Sequence, residues 1–147
     1  MFELINHGGK ALIAETPELM GAEAYILSNV RNREVQEKFL QTQDNYRELI
    51  GYHGQTAEAN PSGGNQFRGL YNIALKSLGA AMKKPPEVCL DDVVAYGEPI
   101  ETKGHYLFMD SPGNDIESIA GQVASGCNMV AFTTGNGSIT NCNISKT

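Results

Sequence analysis

No run of apolar residues in this sequence is long enough to span a bilayer, and Met1 to Lys10 has neither the basic start nor the apolar middle of a secretion signal. A membrane-embedded or exported protein is therefore not expected, and the cytoplasm is the default compartment. Clustered basic charge is missing as well. The basic pairs, Arg31 with Arg33 and Lys83 with Lys84, are too short to form a stripe. A net charge of -6 and a pI near 5.0 further oppose binding to nucleic acid. Cysteine is scarce: Cys89, Cys127 and Cys142 are odd in number, widely spaced and form no CxxC pair. Neither a disulfide framework nor a zinc knuckle is indicated. Some catalytic signatures are also absent. GNG at Gly135 to Gly137 lacks the third glycine of a dinucleotide fingerprint, and the sequence contains neither a GxxxxGK phosphate loop nor a GxSxG elbow. Nicotinamide redox chemistry, nucleotide hydrolysis and serine hydrolysis lose support accordingly.

What remains is a globular composition, 41% hydrophobic and 19% charged over 147 residues, which fits one domain with one core. A chain of this length needs neither disulfide nor metal merely to fold. Lys10 to Glu15 (KALIAE) reads as a buried strand stopped by Thr16 and Pro17. Gly21 to Val30 and Glu34 to Ile50 have helical composition, the second with Val35, Phe39, Tyr46, Leu49 and Ile50 on one stripe. Gly51 to Gln66 reads as a long loop. Phe67, Leu70, Tyr71, Ala74, Leu75 and Leu78 then recur at helical spacing, predicting a helix to about Ala81 that packs on the sheet through Leu70, Ala74 and Leu78. Asp92 to Tyr96 is a short strand candidate. His105 to Met109 (HYLFM), an apolar helical face at Ile116, Ile119, Ala120, Val123 and Ala124, and the run Asn128 to Thr134 (NMVAFTT) predict a β-α-β unit. Asn114 with Glu117 resembles a capping box, and Gly126 suits the helix end.

In open α/β sheets, ligands bind in the loops at the carboxyl ends of parallel strands. Three loops qualify: Glu15 to Glu18 (ETPE), Asp110 to Asp115 (DSPGND) and Thr133 to Ser138 (TTGNGS). All are rich in carboxylates, hydroxyls, amides and glycines, and together they suit an anionic, carboxylate-bearing ligand. The candidate binding residues on them are Thr16, Asn114, Thr134, Gly135, Asn136 and Gly137. Asn60, Ser62 and Asn65, just ahead of a helix, could form a second anion site. The same residue types are ordinary turn and cap formers, so each is equally readable as local structure. Lys76 reads as a solvated helix lysine, Cys127 as a buried small hydrophobe, and His7, His53 and His105 as structural, with no metal-ligand spacing among them.

Three segments, GGKALIAETPELMGAEAYI, NPSGGNQFRGLYNIALKSLG and MDSPGNDIESIAGQVASGCNMVAFTTGNGSITN, resemble the carboxyl-terminal half of the galactarate and altronate dehydratase family, over nearly the whole chain from Gly8 to Asn141. The resemblance implies a Rossmann-like three-layer α/β sandwich with a mostly parallel sheet. It also implies removal of water from sugar acids to give 2-keto-3-deoxy acids, usually with ferrous iron; some relatives release sulfite from sulfolactate instead. Within that family reading, Glu15 is the first choice for a carboxylate acting as base or metal ligand. Asp110 and Asp115 come next, and the glycines of GNG are the backbone donors to substrate. One departure is Ala80 after Lys76-Ser77-Leu78-Gly79, where many members have cysteine. Members also resemble one another in a further motif-bearing stretch ahead of GGKALIAETPE and an apolar strand after GSITN. The expectation is therefore a segment of a longer dehydratase, inactive alone and joined by a homo-oligomeric or half-enzyme partner. The rival expectations are a sugar-acid binding module without catalysis and an accessory subunit.

Overall fold

The computed structural model describes residues 1–135, 137, 138 and 140. In chain order the elements are α1 (Phe2–Asn6), β1 (Ala11–Ile13), a 3-10 turn η1 (Thr16–Leu19), α2 (Glu23–Ile26) and α3 (Arg33–Tyr52). A second 3-10 turn η2 (Ala57–Ala59), α4 (Gly63–Phe67), α5 (Ile73–Ala81), β2 (Asp92–Val94), β3 (Tyr106–Met109) and α6 (Asp115–Ala124) follow. The strands form one all-parallel sheet in the order β1-β3-β2, an α/β arrangement. No helix among the described residues is long and apolar enough to cross a membrane.

β3 is buried at all its positions because it is the central strand and both of its faces are covered. That double burial explains why HYLFM is apolar without alternation. On one face Ala11, Ile13, Tyr106 and Phe108 pack with Leu19, Ile26, Val35 and Phe39, the two phenylalanine rings meeting edge to face at 5.1 Å. On the other face lie Val94, Leu107 and Met109 with Leu12, Ala14 and Ile100. The end of α6 reaches this second side: Ser125, its C-cap, donates to Met109 Sδ at 3.3 Å and accepts from Ile100 N–H at 3.1 Å.

α3 starts where Asn32 Oδ1 accepts the Val35 N–H at 3.0 Å, and α6 where Asn114 Oδ1 accepts the Ile116 N–H at 3.2 Å. Both are N-caps that satisfy otherwise orphaned donors. The sheet edge opposite the β3–α6 loop is pinned by buried Asp91. Its carboxylate accepts N–H bonds from His105 (2.6 Å) and Tyr106 (3.1 Å) and two from the Arg31 guanidinium (2.6 and 3.1 Å). Gly104 is required beside it, since a Cβ there would overlap the Asp91 side chain.

Several expectations need correction. Asn128 to Thr134 forms no strand, and Met129 is 83% exposed. Both edges of β3 are already occupied by β1 and β2, so this run would have to pair on an outer edge, and it does not. The helix expected from Phe67 to Ala81 is two helices, α4 and α5, interrupted around Gly69, whose φ of 101° no ordinary side chain favours. In α5 the buried residues are Ile73, Ser77 and Ala81, while Ala74 and Leu78 are exposed and Leu70 lies outside the helix. α5 packs mainly on η1 and α2 rather than on the sheet. In α6, likewise, Ser118, Ile119 and Gly121 are buried, whereas Ile116, Ala120 and Ala124 are exposed. The expected long loop from Gly51 to Gln66 also holds η2 and most of α4, and Cys127 is half-buried rather than enclosed.

Candidate active site

The turn after β1 and the turn after β3 interlock at the carboxyl end of the sheet. Ser111 is the centre of the junction: its Oγ accepts the Glu15 N–H at 2.9 Å and its carbonyl accepts the Thr16 N–H at 3.0 Å. Its own N–H donates to Thr16 Oγ1 at 3.2 Å, and Thr16 Oγ1–H in turn donates to Asp110 Oδ1 at 2.5 Å. Thr16 and Ser111 are buried. Four bonds between two turns leave little freedom, which is how a scaffold holds reacting groups in place.

Close packing adds to this. A Cβ on Gly113 would come within 2.6 Å of Pro17 Cγ, whereas one on Gly135 would meet nothing within 4 Å. Gly113→Ala is therefore expected to cost about 1–3 kcal/mol by forcing the turns apart. Gly135→Ala should leave the melting curve unchanged. Thermal denaturation of the two variants side by side checks this, and equal curves would show that the junction is loose.

Glu15 sits in the left-handed region (φ 75°, ψ 79°), the one non-glycine residue with positive φ among those described. Such a conformation costs of the order of 1 kcal/mol and persists only where surroundings over-determine it. Here the Ser111 Oγ bond and the Thr16–Asp110 bond do so. The Glu15 carboxylate is half-buried and has no hydrogen-bond partner among the described residues. Burial raises its pKa above the ordinary value, and the negative charges of Glu18 and Asp115 add to that, with Lys83 and Lys76 opposing.

Asp115 reaches the third loop, its Oδ2 accepting hydroxyl bonds from Ser138 (2.8 Å) and Thr140 (2.9 Å). Thr134, Gly135 and Gly137 of that loop are exposed, and Asn136 lies outside the described residues, as does the tail containing Cys142. Asn114 is committed as the cap of α6. Ser62 precedes α4, which has only five residues, and is exposed; Asn65 lies within α4. Ser62 makes no hydrogen bond to the Glu15 cluster among the described residues. His53 is exposed at the end of α3, and His105 bonds the Gly9 carbonyl through Nδ1 at 3.0 Å.

Asn60 is joined to the site through Glu18, which lies in the candidate ETPE loop, and Lys76, which the sequence suggested was a solvated helix lysine. Lys76 Nζ donates to Glu18 Oε1 and contacts Oε2, both at 2.9 Å, and donates to Asn60 Oδ1 at 2.8 Å; Asn60 Nδ2 donates to Glu18 Oε1 at 3.0 Å. Lys76 is thus not a solvated lysine, because its three donors are all engaged. This ring ties η1, the segment before α4, and α5 together, and the peptide bond between Asn60 and Pro61 is cis. No spacing signal marks Lys76; only the position of Glu18 inside the ETPE loop hinted that a counter-charge was needed.

The "D-galactarate/Altronate dehydratase, C-terminal" family model matches residues 1–147. The chain is 37% identical over 134 residues to altronate dehydratase of Bacillus subtilis and 34% identical over 134 residues to altronate dehydratase of Escherichia coli. It is 28% identical over 134 residues to galactarate dehydratase (L-threo-forming) of Escherichia coli. Each alignment covers 91% of this chain but only 27%, 27% and 25% of the relative. The chain thus spans about a quarter of their length, and the range matched by the family model takes in the interlocked turns around Glu15 and Ser111. It belongs to the D-galactarate/altronate dehydratase family.

Proposed function

We propose that the chain supplies the base-bearing part of a sugar-acid dehydratase site that eliminates water from a hydroxy acid to give a 2-keto-3-deoxy acid. The observation that carries this reading is Glu15, a half-buried carboxylate without a hydrogen-bond partner among the described residues, held in a left-handed turn at the carboxyl end of a parallel sheet. A base of this kind takes the proton from the carbon next to the substrate carboxylate. The electron pair moves into an enolate, the bond to the β-hydroxyl breaks as that oxygen takes up a proton and leaves as water, and the enol so formed tautomerises to the 2-keto acid. Asp110 positions Thr16 beside the base, and Asp115, fixed by Ser138 and Thr140, is the second carboxylate at the site. Ferrous iron, implied by the family resemblance, would supply Lewis acidity if it were held at the completed site. No three His, Cys, Asp or Glu side chains gather into a ligand set among the described residues, and none is assigned as a ligand. A reducing cytoplasm suits the free Cys89 and Cys127.

The reading also holds that the site is completed by protein beyond these residues, from a partner or a longer chain. Tyr71, Leu75, Leu78 and Met82, in and around α5, are all exposed, and apolar side chains grouped on one short segment suit a covering partner surface. The purified chain is expected to give no 2-keto-3-deoxy product from altronate or galactarate under anaerobic conditions with ferrous iron. A chimera in which it replaces the matching segment of the Bacillus subtilis altronate dehydratase should turn over. Activity of the chain alone would disprove the need for completion. An inactive but folded chimera would count against the dehydratase reading.

A further inference from the structure

α5 and the η1 turn run past each other in opposite directions, and two contacts fix their register. Gly21, just beyond η1, lies against Ala74 near the start of α5, where a Cβ on the glycine would come within 3.3 Å of the alanine Cα. Glu18 then meets Lys76 at 2.9 Å. The stretch from Gly21 back to Glu15 covers about 12 Å at the 3-10 rise, which is about eight residues of α-helix. Counted on from Ala74, that distance reaches the carboxyl end of α5, where Lys83 stands. The chain there still turns as a helix, Lys83 N–H donating to the Ala80 carbonyl at 3.1 Å, so a side chain seven residues beyond Lys76 keeps nearly the same bearing. Burial raises the Glu15 pKa, and the charge of Lys83 is one of those opposing it, which agrees with this placement. Even so, the two are not joined: Lys83 is exposed, and its side chain has no hydrogen-bond or ion-pair partner among the described residues. Its neighbours in sequence and on the helix are committed elsewhere. Lys76 is held by Glu18 and Asn60, and Lys84 is buried against the Tyr25 ring.

We propose that Lys83 binds the carboxylate at the reacting end of the substrate, beside the base Glu15. The proposal rests on the dehydratase reading and adds to it a residue that touches the substrate. An anion approaching the interlocked turns meets Glu15, Asp110 and Asp115, three carboxylates without an ion-pair partner among the described residues, so like charge repels it unless a cation is also there. Lys83 is a cation with its donors unspent on that side of the site. Its position also suits the chemistry. When Glu15 takes the proton from the carbon next to the carboxylate, the electron pair left behind spreads onto the carboxylate oxygens, which then carry more negative charge than in the substrate. An ammonium against those oxygens therefore holds the transition state more strongly than the ground state. The proton stays on Glu15, and Lys83 remains an ammonium throughout.

The test has two arms, both using Lys83→Met and Lys83→Arg, which are mild for the fold because the side chain is exposed and the backbone bond to Ala80 is kept. In the 147-residue chain, a carbon-13 titration of the Glu15 carboxyl should move to higher pH in Lys83→Met and stay in place in Lys83→Arg. A midpoint indifferent to Lys83→Met would show that the two side chains are not neighbours and overturn the proposal. In the altronate dehydratase chimera, Lys83→Met should lower kcat/KM for altronate about tenfold to a hundredfold, the worth of a charge-assisted hydrogen bond. The loss should fall on kcat as well as KM, and Lys83→Arg should recover most of it. Equal losses in the two variants, or none in either, would also overturn the proposal. Altronate binding to a Glu15→Gln chimera, with and without Lys83→Met, separates this residue from the base. Binding weakened about tenfold assigns the carboxylate to Lys83 even if Glu15→Gln leaves turnover intact and so removes the base. Unchanged binding in a chimera that Glu15→Gln has silenced refutes Lys83 alone and leaves the dehydratase reading standing.

Discussion

Replacing Glu15 with glutamine should lower turnover of altronate by the chimera by about a hundredfold to ten-thousandfold, the range that a positioned base contributes. The folded chain should become no less stable. Glutamine has the same size and suffers the same left-handed backbone, so the Ser111 and Thr16 bonds that hold the turn stay in place. What changes is ionisation. Because burial and the neighbouring Glu18 and Asp115 raise the folded-state pKa of Glu15, the folded chain favours its protonated form. Such a group contributes stability that is fully present below its unfolded pKa and is lost as pH rises through the raised folded value. Glutamine cannot ionise and escapes that loss, so the variant should melt at the same or a slightly higher temperature near neutral pH. The same shift places the acid limb of wild-type kcat/KM above the value of an ordinary glutamate, which is about 4.3. A glutamine variant that keeps most of its turnover, or whose loss tracks unfolding in circular dichroism, would remove Glu15 from the chemistry.

The second large effect is on stability. Asp91→Asn should cost about 3 kcal/mol, and lower Tm by about 9 °C, for a chain of this size. Four N–H donors converge on the two oxygens of Asp91, and an amide offers one oxygen and an NH₂ in their place. One set of donors must then face another donor in a buried corner. Burial alone would raise the Asp91 pKa, but the N–H groups of His105 and Tyr106 and the Arg31 guanidinium outweigh it and hold the carboxyl below its usual value. A depressed carboxylate contributes stability above its unfolded pKa and loses it as pH falls through the folded one. Wild type should therefore lose this advantage below about pH 4, where the unfolded carboxyl titrates, and the gap between wild type and Asp91→Asn should narrow there. Denaturant titrations at pH 7 and pH 3 measure both. A gap independent of pH would mean that the carboxylate charge is not what holds this corner.

Three strands were legible as short apolar runs with their own stops, KALI, DVV and HYLFM, whereas the equally apolar NMVAFTT forms no strand, so the parallel sheet is made with β1 and β2 rather than through the crossover expected after α6. Helix faces were harder. The stripe read for α5, through Ala74 and Leu78, is rotated from the buried one, which uses Ser77, a small polar residue that lets η1 approach. Gly121 in α6 does the same for Tyr96, whose ring occupies the place of a Cβ. Small residues at tight contacts carry no hydrophobic signal, so periodicity points to the wrong side. The Lys83–Lys84 pair shows the same limit: Lys83 is exposed, but Lys84 is wholly buried beside the Tyr25 ring, its ammonium 5.9 Å from the ring centre. At the site, Glu15, Thr16 and Asp110 could be grouped from the carboxyl-end rule alone. Lys76 could not, since its partners lie 58 and 16 residues away.

The central place of β3 also fixes an order of events during synthesis. Among the described residues β1 pairs only with β3, in a register that runs from Ala11 to Tyr106, so β1 leaves the ribosome long before the strand that it pairs with. Until that strand emerges, Ile13, Leu19 and Phe39 have no central strand to pack against. Contacts so distant in sequence close late and at high entropic cost, and the apolar runs they involve stay open to other chains meanwhile. Handling by chaperones is therefore concentrated on the interval between the emergence of Ile13 and that of Phe108, and a growing chain halted within it would hold all the residues of η1 with nothing to set Glu15 in its turn.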